Sequence, residues 1–178
     1  MMMKNKSKPK KVVIGIIIFI LNYLYINGGY LFIKDYLGEE LFTKALHHYI
    51  KSWNGKHPMP YDFFYSMNAG AGKNMDWFWK RWFFEGGVTD MAIKAVNKTA
   101  TGYAIDVFNK SNKPLPIDLT ITFSDGTTDK IHQTIGVWEK GDQIATSTII
   151  TNKVITKVVL GSSHVPDKDK SDNTFVVK

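Results

Sequence analysis

An α+β fold is predicted for this 178-residue chain: a small helical subdomain followed by an antiparallel β-sandwich, with an apolar segment at the amino terminus. Three observations predict it. Apolar residues recur at helical spacing from about residue 30 to residue 84. Beyond Thr89 the period changes to two, in short runs separated by turn residues. Ahead of both, residues 12–33 carry no charged side chain. The expected divisions are 1–27 for a basic leader with a signal or anchor segment, 28–95 for the helical subdomain and 96–178 for the β-sandwich.

The leader comes first. Lys4, Lys6, Lys8, Lys10 and Lys11 precede the uncharged run, the pattern of a secretory signal or an uncleaved signal anchor. A bilayer takes about 20 residues of helix, and the lysines would hold the amino terminus in the cytoplasm. No small-x-small cleavage site follows the apolar core. Asn22, Asn27, Gly28 and Gly29 weaken its second half, so the segment expected to meet a membrane is 12–26. The protein is therefore expected to be membrane-anchored or exported; the alternative is that part of the run is a buried helix of a soluble protein. The same lysines account for most of the net charge. Of +7 overall, only +2 remains without them, so nucleic acid is not an expected partner.

In GEELFTKALHHYIKSW, Leu41, Phe42, Ala45, Leu46, Tyr49, Ile50 and Trp53 form one helical face. Gly38 should break this helix from the preceding segment, with Glu39 and Glu40 at the positive end of the new one. Asn54-Gly55 ends it, and the prolines of HPMP hold an extended link. YDFFYSM reads as a short helix presenting Phe63, Phe64 and Met67, and NAGAGKN as a loop. From the N-cap Asn74 a further helix runs to about Phe84, with Met75, Phe78, Trp79, Trp82 and Phe83 on its core stripe. Trp77 and Phe84 fall off that stripe and should meet a second surface. Five alternating runs follow, TGYAIDVFN, LPIDLTITF, DKIHQTI, TSTII and ITKVVL, with Asp125-Gly126 as a hairpin turn. A last short strand is expected at 174–177.

Little of this supports chemistry. AGAGK lacks the first Gly and the final Ser or Thr of a phosphate loop, and a helix precedes it, so it reads as a helix-helix connector. The rings of 61–84 follow helical periodicity rather than a basic groove, which assigns Phe63, Phe64, Phe78, Trp79, Trp82 and Phe83 to a structural aromatic core. His47 and His48 are adjacent and point about 100° apart on a helix. His57, His132 and His164 have no carboxylate or His partner at ligand spacing and read as solvated. There is no H-E-x-x-H, and no cysteine for a thiolate, a disulfide or a Cys-bound metal. D-K-D-K-S at 167–171 mimics the start of a calcium loop, but Asp172 stands where that loop needs Gly and Lys178 where it needs Glu.

The stretch from Leu37 to Val96 resembles the part of aminopeptidase N-like zinc metallopeptidases (peptidase family M1, bacterial branch) that follows the zinc site. The resemblance lies in L-G-E-E-x-F, Y-I-x-x-W, K-H-P-x-P-x-D-F-F, W-F-W-x-x-W-F-F and D-x-A-I. The β-rich half is similar to the domain that follows in that branch, through L-P-I-x-L-x-I-x-F-x-D-G-T, V-W-x-x-G and V-P-D-x-D. The resemblance implies helices packed behind a catalytic cleft and a sandwich bracing them. It implies zinc in intact members, held by upstream residues that do not occur in this sequence, and so no cofactor in this chain itself. A transition-state-stabilising Tyr of the family carries over to Tyr23, in NYLYI, where Ile26 replaces the family's Gly. The chain is thus expected to be a C-terminal fragment or degenerate relative of a zinc aminopeptidase, non-catalytic alone. Two alternatives stand beside this: a subunit completing a split peptidase in trans with the zinc-binding half, and a membrane-anchored binding or scaffold module.

Overall fold

The computed structural model describes the backbone of residues 9–163 and 165–177, and the side chains of 28–163 and 165–177. Within these bounds the fold is α+β: helices first, then two antiparallel sheets. Among the described residues no helix is long and apolar enough to cross a membrane. The side chains of the apolar run 12–26 lie outside the described residues.

Helix α1 spans Pro9–Trp53 and is broken at Gly38, whose φ of 75° and ψ of 162° are not helical. Nothing lies within 4 Å of where a Cβ would sit there, so glycine is needed for its backbone angle, not for space. Helix α2, Pro60–Ala71, begins with a proline at its first turn, and the Asp62 carboxylate accepts the Met59 N–H at 2.7 Å. It runs past the expected end at Met67 and takes in the first half of the supposed loop. Gly70 permits this: a Cβ there would lie 2.7 Å from Ala45 Cα and from His48 Cβ, so its absence lets α2 press onto α1. Gly72, at φ 65°, then terminates the helix in the left-handed conformation.

Helix α3, Asp76–Trp79, passes directly into a wider π-helical turn, Lys80–Phe84, closed by the Glu85 N–H donating to the Lys80 carbonyl at 3.0 Å. The strands are β1 Met91–Lys98, β2 Gly102–Asn109, β3 Ile117–Phe123, β4 Thr128–Gln133, β5 Ile144–Ile150, β6 Ile155–Leu160 and β7 Thr174–Val176. One sheet has the order β1-β2-β5 and the other β4-β3-β6-β7. Strand β1 was not among the expected alternating runs. A bulge between Ile93 and Ala95 breaks its alternation, and Met91, Ala92 and Ile93 are all buried in succession.

The inward residues of the two sheets form one core. Tyr103, Ile105, Val107, Ala145 and Ile149 from the first meet Ile117, Leu119, Ile121, Val158 and Leu160 from the second. Two polar contacts cross between them: Ser147 donates to Gln133 Oε1 at 2.8 Å, and the Ile155 N–H reaches Tyr103 Oη at 3.4 Å. The core continues into the helices without interruption, because Trp82 donates its indole N–H to the Pro114 carbonyl at 2.9 Å. Trp138, in the 3₁₀ turn Ile135–Trp138, does the same to Leu115 at 2.7 Å. Each large indole is thereby buried with its polar edge satisfied.

Candidate functional site

The aromatic residues singled out in the sequence lie together. Phe64, Phe78, Trp79 and Trp82 are buried, and Phe63 and Phe83 are half-buried against them. Phe63 meets Tyr30 and Tyr49 edge-on at 5.5 and 5.0 Å, while Phe64 lies 4.9 Å from Trp79 and 5.0 Å from Phe83. Edge-to-face and tilted pairs of this kind suit the ring quadrupole. Asn68, just before the Gly-rich connector, orders it. Its Oδ1 accepts from Trp79 Nε1 at 2.9 Å and from the Met75 N–H at 3.2 Å, and its Nδ2 donates to Asp76 at 2.7 Å. Of the two off-stripe residues, Trp77 meets Tyr36 of α1 at 5.9 Å, whereas Phe84 remains 47% exposed.

Polar chemistry collects along the seam between α1 and the sheets. His132 of β4 is exposed, as expected, but it is also held between two carboxylates, which was not expected. Its Nδ1 lies 2.6 Å from Asp118, its cross-strand partner on β3, and its Nε2 lies 3.1 Å from Asp35 of α1. The hydrogen bond to Asp118 raises the imidazole pKa above its ordinary value, assisted by the Asp35 charge and opposed by burial. The Asp118 contact depends on register: the loop between β3 and β4 is centred on Asp125, whereas a two-residue Asp125-Gly126 turn would have set 118 opposite 133. Asp35 is 97 residues away and no local signal points to it.

Beside this pair, Tyr36 donates its hydroxyl to Glu139 at 2.5 Å, and burial and that bond raise its pKa. The lysine of AGAGK, Lys73, sits 4.0 Å over the Tyr36 ring and 3.6 Å from Glu139. The Tyr36 ring lies where a Cβ on Gly136 would fall, 2.6 Å from it. A further lysine, Lys113, is buried. It donates to the Arg81 and Glu85 carbonyls at 2.7 and 3.0 Å, supplying partners at the end of the π-helical turn, and burial lowers its pKa.

No arrangement for metal chemistry is found among the described residues: no three His, Cys, Asp or Glu are grouped so as to hold an ion. In the loop that mimics a calcium site, the carboxylates turn inward. Asp167 accepts from the Asp169 N–H and from Asn173 Nδ2, and Asp169 accepts from Ser171. Asp172 pairs with Lys110, which also faces Asp90 at 3.6 Å. These contacts fasten the loop to β1, where the Ile93 N–H donates to the Asp172 carbonyl. The side chain of Tyr23, the residue carried over as catalytic, lies outside the described residues, as does His164.

No protein-family model matches the chain, and no curated protein matches it. Among solved structures, the fold is similar to that of aminopeptidase A from Legionella pneumophila, solved in complex with aspartic acid, with a TM-score of 0.55 and 18% sequence identity. The match covers 75% of this chain and 16% of that one. At this identity the likeness is one of fold, and the chain spans less than a fifth of its neighbour's length.

Proposed function

We propose that the chain is the helix-and-sandwich scaffold of an M1-type zinc aminopeptidase, as a fragment or degenerate relative, and that it does not hydrolyse peptides by itself. The observation that carries this reading is the fold likeness to about a sixth of an aminopeptidase in residues that include no H-E-x-x-H. The division into a leader, a helical subdomain to residue 95 and a sandwich from 96 belongs to the same reading, as does zinc as a cofactor of intact relatives only. Tyr23 would then have no ion beside which to stabilise a transition state. Nucleic acid is not a partner in this reading. The location is extracytoplasmic, anchored to a membrane through residues 12–26. Metal analysis of the purified chain and its action on amino-acid arylamides test the proposal; bound zinc at one per chain with steady turnover would refute it.

A second reading is completion of a peptidase in trans by a separate zinc-binding half. Pull-down from native extract tests it, the expected prey being a polypeptide that carries H-E-x-x-H. A membrane-anchored binding module differs from both in needing no peptidase partner, and removal of the leader should then abolish localisation alone.

A further inference from the structure

The exposed rings of the helical part gather at one end of it. Ring contacts between α1 and the α3–π segment run in opposite order along the two. Tyr36 meets Trp77 at 5.9 Å, Phe32 meets Trp82 at 5.4 Å and Tyr30 meets Phe83 at 6.0 Å. The next residue in this ladder, Phe84, therefore lies at the level where α1 enters the domain. Phe84 stacks on Tyr61 at 4.9 Å, and Tyr61 stacks on Tyr65 at 6.4 Å. All three are exposed, as is Met59 beside them. The bordering carboxylates are engaged: Asp62 accepts the Met59 N–H, and Glu85 faces Lys80 at 3.7 Å and accepts from Asn112. The face is apolar, ringed and close to neutral.

Helix α1 supplies the reason for its exposure. Gly29 is buried against Phe83, Tyr30 packs on Phe63 and Phe83, and Phe32 and Ile33 lie in the protein core, so 29–33 of the uncharged run is held by the domain and is not available to a bilayer. What remains uncharged is 12–28, about 26 Å of helix against roughly 30 Å of hydrocarbon. A span that short is met by local thinning of the bilayer, which brings the adjoining structure to the interface. The adjoining structure here is the end of the domain that carries the rings. Between Pro9 and Gly38 α1 has no break, so no flexible linker holds the domain away. Amphipathic tyrosines are favoured at the headgroup level, where the ring is dry and the hydroxyl wet.

We propose that the face formed by Met59, Tyr61, Tyr65 and Phe84 rests in the headgroup layer of the membrane that the amino-terminal part of α1 enters. This rests on the anchoring reading above, and the experiment separates the two. The chain has no cysteine, so one can be introduced and labelled alone. Full-length Tyr61→Cys and Phe84→Cys, with Ile150→Cys on β5 as a more exposed apolar control, carry a nitrobenzoxadiazole label. Each is reconstituted with vesicles of phosphatidylcholine and phosphatidylglycerol, floated on a density gradient and read by fluorescence.

The expected result is flotation of all three, several-fold brightening at 61 and 84 only, and quenching there by a headgroup-level nitroxide lipid. Equal responses at 61, 84 and 150 in floated protein would overturn the docking face while leaving the anchor standing. Brightening at 61 and 84 without lipid, together with cross-linked dimers, would overturn it in favour of a second copy. Failure to float would reject the anchor, and the docking face with it. All three positions are exposed, and unchanged intrinsic tryptophan emission shows that the variants fold.

Discussion

Gly70→Ala and Gly28→Ala are the same substitution in two helices, and the structure assigns them opposite signs. In a helix interior, alanine is favoured over glycine by about 1 kcal/mol because the unfolded chain is less free. At Gly28 the added methyl meets, among the described residues, only the Phe32 ring, at 3.8 and 3.9 Å, which is ordinary contact. That variant should be more stable by up to about 1 kcal/mol. At Gly70 the methyl would sit 2.7 Å from Ala45 Cα, 2.7 Å from His48 Cβ and 3.1 Å from the Ala45 carbonyl oxygen. Carbon pairs prefer about 3.5–4.0 Å, so α2 must retreat from α1 by roughly 1 Å. The obstructing atoms belong to backbone or to its first side-chain carbon, and no rotamer change removes them.

Overpacking of this kind costs about 1–3 kcal/mol, and here it also loosens the contacts Phe63 and Phe64 make across the helices. Offset by the propensity gain, Gly70→Ala should lose up to about 2 kcal/mol net. At about 2–4 °C per kcal/mol for a chain of this size, the melting temperature should fall by up to about 8 °C. Urea unfolding followed by tryptophan fluorescence measures both variants, with the slope expected to stay constant. A Gly70→Ala midpoint at or above that of the parent would refute the close-approach argument.

Three further outcomes follow from the seam and the buried lysine. His132 has a raised pKa in the fold, so its contribution to stability is fully present below about pH 6.5 and is lost as pH rises through the raised value. Urea midpoints should therefore decline across that window in the parent and vary less in His132→Gln; an identical pH dependence would rule out the Asp118–His132–Asp35 bridge as its cause. Gly136→Ala drives a methyl into the Tyr36 ring, 2.6 Å away, and should cost about 1–3 kcal/mol while raising amide exchange in the Ile135–Trp138 turn. Unchanged exchange there would refute the packing assignment. Lys113→Met removes the donor to the Arg81 and Glu85 carbonyls and should destabilise by about 1–3 kcal/mol, measured by thermal unfolding. No loss would mean that solvent replaces the ammonium.

What could be read from the chain alone was whatever depends on neighbours in sequence. The alternation in β2, β3 and β5, the Asp125-Gly126 turn and the break at Gly38 are local rules of backbone and burial, and they needed no partner to be legible. The helical spacing of Phe63, Phe64, Phe78, Trp79 and Trp82 marked an aromatic stripe for the same reason. Tertiary structure decided the rest, because it depends on what a residue meets across space. Strand β1 lost its alternation to a bulge, so its hydrophobic triplet carried no period. Helix α2 reached Ala71 because Ala45 and His48 require a glycine opposite them, a demand visible only from α1. His132 acquired two carboxylates, one through strand register and one from a helix far away in sequence. Long-range contacts become favourable only once chain entropy has been overcome collectively, and no short window of sequence records which residues that collective event brings together.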